Sequence, residues 1–131
     1  MKPNNYFLKL LIFAILTACF SCKKSTSSPT TTIVEYEITP MNVYFIKIAY
    51  NDNAGNTVEI TDPSQFIHGA KSISISTQHF NAKLETTINN TTNADIDYVL
   101  VIKVDGEIKK NTQVRALPMA TFTSSVEYTI Q

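Results

Sequence analysis

The feature that most constrains this chain is a period of two. From Ile33 onward, short runs alternate apolar and polar side chains, as strands do when one face is covered. Ile96–Val104 is the strongest run, with Ile96, Tyr98, Leu100, Ile102 and Val104 on one face and Val99 and Val101 on the other. Ile33–Ile38 sets Val34, Tyr36 and Ile38 against Glu35 and Glu37. In Val43–Tyr50, Tyr44, Ile46, Ile48 and Tyr50 share a face; the opposite one, Val43, Phe45, Lys47 and Ala49, is also mostly apolar. Phe45 is therefore a candidate for an exposed patch that contacts a partner protein. Thr57–Thr61, Lys71–Thr77, Phe80–Ile88, Glu107–Thr112 and Thr121–Ile130 complete the expected strands. The last places Phe122, Ser124, Val126, Tyr128 and Ile130 inward.

The breaks between runs are turns by composition. Asn51–Asn56 and Asn89–Asn93 are polar clusters, Asp62–Gly69 interrupts the alternation, and Asp105-Gly106 signals a type I′ hairpin, whose two central residues need positive φ. No window shows a sustained 3.6-residue period. About seven or eight short strands over a hundred residues predict an all-β fold, an antiparallel sandwich or small barrel. A domain of that size buries enough surface to fold without a disulfide.

The N-terminus has a different character. Lys2 precedes the uncharged apolar stretch Leu10–Phe20, about half the length a spanning helix requires. Leu16-Thr17-Ala18-Cys19 resembles the lipobox of bacterial lipoproteins, in which the cysteine thiol receives the lipid. Ser21-Cys22-Lys23-Lys24 resembles an alternative form common in the Bacteroidetes, so Cys22 is the second candidate for lipidation. Residues 1–18 (alternatively 1–21) are then a signal peptide, 19–32 a lipidated Ser/Thr-rich tether, and 33–131 the β-domain. Several acyl chains on one cysteine hold a protein firmly to a membrane. Cys22 to Thr32 could span at most about 35–40 Å. No acidic cluster follows the cysteines, which predicts retention at the outer membrane facing the periplasm.

Three stretches resemble the MmpS family, small membrane-anchored accessory proteins of mycobacterial lipid exporters. They are Val34-Glu35-Tyr36-Glu37-Ile38-Thr39; Ile48-Ala49-Tyr50-Asn51-Asp52 with Gly55-Asn56-Thr57; and Ile102-Lys103-Val104-Asp105-Gly106-Glu107-Ile108-Lys109-Lys110. Their order and spacing cover roughly residues 33–115. The resemblance implies an immunoglobulin-like sandwich that assists an exporter of the resistance-nodulation-division type. The chain departs from the family in its lipobox, in having Leu100 where a cysteine is expected, and in having Phe66 as the nearest stand-in for a tryptophan.

Charge and chemistry narrow the function. Residues 1–24 hold Lys2, Lys9, Lys23 and Lys24 and no acid, which leaves seven basic and eleven acidic residues after them, a net −4. A body of that charge does not suit nucleic acid. Nucleophilic catalysis needs a nucleophile, a base and an orienting group, and no such motif occurs. His68 and His79 read as loop histidines, although with Asp62 they could converge on a metal. Asp95 and Asp97 share a strand face and could act as paired carboxylates or bind calcium; they read as a solvated strand start. Asp52 reads as a turn former. The expectation is a non-enzymatic lipoprotein without metal or cofactor, whose sandwich binds an envelope protein, for example a transporter subunit. The alternative is a carrier of a small apolar ligand or glycan, which calls for a cavity between the sheets.

Overall fold

The alternation becomes eight strands in the computed structural model, which describes residues 30–41, 44–76 and 79–131. The expected signal segment, Cys19, Cys22, most of the tether, and Val43 lie outside the described residues. The strands are β1 (Thr32–Thr39), β2 (Phe45–Asn51), β3 (Thr57–Ile60), β4 (Ala70–Ile75), β5 (Phe80–Asn90), β6 (Ile96–Val104), β7 (Glu107–Ala116) and β8 (Ala120–Ile130). They form two antiparallel sheets, β4-β1-β6-β7 and β3-β2-β5-β8. The fold is an all-β sandwich, as the sequence predicts. Its inner strands interlock: β1 pairs with β6 in one sheet, β2 with β5 in the other, and the connections β1–β2 and β5–β6 cross between sheets. In a constant-type immunoglobulin domain the first two strands share a sheet; here they lie in opposite sheets.

The core comes from the inward positions of the two sheets. Val34, Tyr36, Ile38, Leu100 and Ile102 on one side meet Ile48, Leu84, Ile88 and Val126 on the other. Two tyrosines also tie the sheets together through their hydroxyls. Tyr98 shares a 3.1 Å hydrogen bond with the buried Thr86, and Tyr36 donates to the Asn51 carbonyl at 2.8 Å. A buried hydroxyl needs such a partner to offset its lost hydration. Burial also raises both phenols above the ordinary tyrosine range, Tyr36 by a large margin.

β2 departs from strict alternation, and this corrects the expectation for Phe45. Phe45 pairs with Ile88, but Lys47 pairs with the adjacent Thr87, so Ile46 is an extra residue in a β-bulge. A bulge reverses which face the following residues take. Phe45 therefore faces inward together with Ile48, only 2% exposed, and its ring meets Tyr98 edge-on at 5.0 Å. Phe45 is core and is not available as a surface contact. Ile46, predicted to be inward, is 48% exposed.

The outer faces of both sheets are covered by internally matched charges. On one, Lys103 bonds Glu35 at 3.0 Å and also Glu37, from the neighbouring strand. On the other, Glu59, Lys47, Glu85, Lys83 and Glu127 form a zigzag across four strands, with contacts of 3.3–3.6 Å. Burial pushes the Glu85 carboxyl up, but Lys47 and Lys83 outweigh it and hold it below the usual range. Lys103 and, more weakly, the Thr39 hydroxyl likewise hold Glu37 low against a smaller effect of burial.

A group whose pKa is lower folded than unfolded stabilises the fold above its unfolded pKa and loses that contribution as pH falls through the folded one. Glu37 and Glu85 should thus cause a loss of stability below about pH 4, the unperturbed carboxylate range. Replacing Glu37 by Gln is expected to flatten that acid limb by lowering stability modestly at neutral pH, where the carboxylate is ionised, while changing little in strong acid. Urea midpoints measured between neutral and strongly acid pH provide the check; an unchanged slope would rule out Glu37 as a source.

Candidate functional site

The two ends of the sandwich differ. The chain enters at Thr32, opposite Ile75, where Ile33 N donates to Asp105 Oδ1 and Asp105 N donates to Ile33 O, both at 2.8 Å. That end also holds the β6–β7 turn, where Asp105 and Gly106 both have positive φ, as predicted for a type I′ turn. The opposite, distal end is where β1 stops at Thr39, which pairs with Val99. At about 3.3 Å per residue, β1 separates the two ends by roughly 25 Å.

The termination of β1 creates the candidate site. Beyond Thr39 the chain turns away through Pro40, so β6 has no β1 partner at Ile96–Tyr98. β7 continues beside β6, with Gln113 opposite Val99 and Arg115 opposite Asp97. The result is an open groove of about 600 Å³, bounded by Thr39 and Pro40 on one side and by Gln113 and Arg115 on the other, with Asp97 and Val99 between them. Arg115 Nε donates to Asp97 Oδ1 at 2.8 Å, and its Nη2 lies 3.3 Å from Asp97 Oδ2. Asp95 Oδ2 lies 3.7 Å from the same guanidinium. Asp97, then Asp95, raise the pKa of Arg115 further, so the cation is permanent. The cluster has a net charge of −1 and lies beside a stretch of β6 that, among the described residues, has no strand partner on its β1 side.

A buried asparagine organises the loops around this end. Asn90 is fully buried at the end of β5. Its Nδ2 donates to the carbonyls of Ala94, Ala116 and Leu117 at 2.8–3.1 Å. Its Oδ1 accepts from Thr92 N and Thr92 Oγ1. One side chain thus fixes the β5–β6 turn to the β7–β8 connection and sets the direction in which β7 leaves Arg115. Beyond it, Leu117 and Met119 are exposed.

The other residues singled out in the sequence are dispersed. His68 and His79 are exposed on separate connections, before β4 and before β5. His68 has a left-handed backbone (φ 54°), and the adjacent Gly69 packs so close to the Ile38 carbonyl that a Cβ would lie 2.5 Å from its oxygen. Asp62 accepts from Ser64 N and Oγ and caps a 3₁₀ turn, which together hold its carboxyl below the usual range. Asp52 accepts from Ala54 N and Asn56 N, the turn-forming role expected of it. Among the described residues, no three His, Cys, Asp or Glu side chains stand where they could hold a metal together. Asp95 and Asp97 are brought together, but by Arg115.

Sequence reasoning missed Arg115 and Gln113 because it ended the strand at Thr112. The signal was present: Val114 and Ala116 are buried and continue the alternation, with Gln113 and Arg115 outward between them. Phe66, the stand-in for a tryptophan, is buried against Tyr50 with ring centroids 6.4 Å apart, and Leu100 is wholly buried. No protein-family model matches the chain, and no curated protein is detectably similar to it.

Proposed function

We infer that the protein is a non-enzymatic, membrane-anchored periplasmic lipoprotein whose sandwich presents its distal end to another envelope protein. The observation that carries this reading is the placement of the groove at Thr39, Asp97 and Arg115, at the end opposite Thr32. A lipid on Cys19 or Cys22 would hold the Thr32 end toward the membrane and leave the groove pointing away from it. The flank of β6 that has no strand partner among the described residues supplies backbone groups for an extended segment, and Arg115 with Asp95 and Asp97 supplies charge-assisted hydrogen bonds that fix its register. The partner of the MmpS-like reading is a subunit of a resistance-nodulation-division exporter. The carrier reading receives less support, since the space between the sheets is filled by Tyr36, Leu84, Leu100 and Ile102, all wholly buried.

Two measurements test this. Metabolic labelling with an alkyne palmitate should label the chain; loss in only one of Cys19→Ala and Cys22→Ala identifies the acceptor. A photo-crosslinking residue at Gln113 should then capture a transporter or channel subunit, and one at Ala54, in the turn at the Thr32 end, should not. The Gln113 adduct should disappear when both cysteines are replaced. Identical adducts from both positions, or none where known envelope complexes are captured, would remove the interaction reading; a labelled chain without a protein adduct would redirect the search to small ligands.

A further inference from the structure

Each sheet ends in strands with one hydrogen-bonding side unpaired among the described residues: β4 and β7 in one, β3 and β8 in the other. Open edges invite addition of another strand, and proteins guard them with short strands, lysines, bulges or prolines. Three of these edges are guarded. β3 has only four residues, and β4 has six, including Lys71. β7 carries Lys109, Lys110 and Arg115, and the shift in its pairing with β6 makes Lys109 a bulge.

β8 has none of these protections. Its eleven residues pair with β5 in unbroken register from Ala120 opposite Asn90 to Ile130 opposite Phe80. It contains no proline, no lysine and a single charge, Glu127. Its inward side chains are also incompletely covered: Val126 is buried, but Phe122 is 40% exposed, and Ser124, Tyr128 and Ile130 are only half-buried. A regular, nearly uncharged edge with an under-covered aromatic is the surface to which another strand adds.

We propose that β8 pairs antiparallel with β8 of a second copy across a two-fold axis at Ser125, which joins two four-stranded sheets into one of eight. The strand's own sequence selects this occupant and this register. With Ser125 opposite itself, Phe122 lies opposite Tyr128 of the second copy, and the symmetry produces that aromatic pair twice. Thr121 meets Thr129, and Glu127 meets Thr123, so no like charges are opposed. Aromatic pairs and matched threonines are favourable cross-strand neighbours, whereas opposed like charges are not. Moving the axis to Glu127 would set two carboxylates against each other. The two-fold axis makes the contact closed, so it yields a dimer and not a fibre.

The test is sedimentation velocity of the full-length chain in detergent, with Ser125→Lys as the variant. The wild type should sediment as a dimer, and Ser125→Lys should halve its mass, because two ammonium groups then face each other on the axis. The lysine suits the monomer, since Ser125 already lies beside Glu85 on β5. Circular dichroism should confirm that the variant is folded. Register is read by single cysteines at Thr121, Thr123 and Ser125, with Cys19 and Cys22 replaced by Ser; oxidation should link Ser125→Cys fastest. A monomeric wild type, a dimer that survives Ser125→Lys, or equal linking at all three positions would overturn the proposal.

Discussion

Phe45→Ala should lower stability by about 3–5 kcal/mol, the usual cost of removing a fully buried phenylalanine ring and leaving a cavity. Phe45 lies between the sheets with its ring edge-on to Tyr98, and Tyr98 in turn bonds Thr86 from the opposite sheet. Removing the ring therefore takes away apolar contact and loosens the support of a buried hydrogen bond. The urea midpoint should fall by more than about 1 M, given slopes of roughly 1–3 kcal/mol per M. Phe45→Leu should cost much less, since most of the volume is retained. If Phe45→Ala left the midpoint unchanged, its ring would not be in the core.

The second large effect is expected at Asn90. Asn90→Ala removes the donor to three backbone carbonyls and the acceptor for Thr92. The Ala116 carbonyl is in the buried part of this network. Buried polar groups left unpaired cost about 1–3 kcal/mol each, so a loss of about 2–4 kcal/mol is expected. Asn90→Asp separates size from hydrogen bonding, because a carboxylate cannot donate to those carbonyls; it should be about as damaging despite its near-identical shape. Amide hydrogen exchange should localise the loosening to residues 91–95 and 116–120, while β1 and β2 stay protected. Uniform loss of protection would mean that Asn90 supports the whole fold and not the distal loops.

These two positions show how far the sequence can be read. Asn90 stands in a polar cluster that reads as a turn, and a turn does follow it. Its own burial depends on carbonyls of residues 94, 116 and 117, two of them far along the chain. Phe45 stands in a run that alternates cleanly; the bulge at Ile46 changes the face it occupies. β8 has the inward set that was expected, yet only Val126 is fully covered, because this edge strand is hydrogen-bonded to a neighbouring strand on one side only among the described residues. The groove follows from where β1 stops relative to β6, and Arg115 becomes part of it by pairing across to Asp97.

What the sequence alone determined is local. Period two, the Asp105-Gly106 turn and the polar breaks specify strands and hairpins, since side-chain alternation and backbone dihedrals are properties of neighbouring residues. The order of strands in each sheet, the inward turn of Phe45, the burial of Asn90 and the guanidinium shared by Asp95 and Asp97 were decided only by tertiary structure. Each depends on contacts between residues remote in sequence, where register and a single extra residue determine which side chains meet.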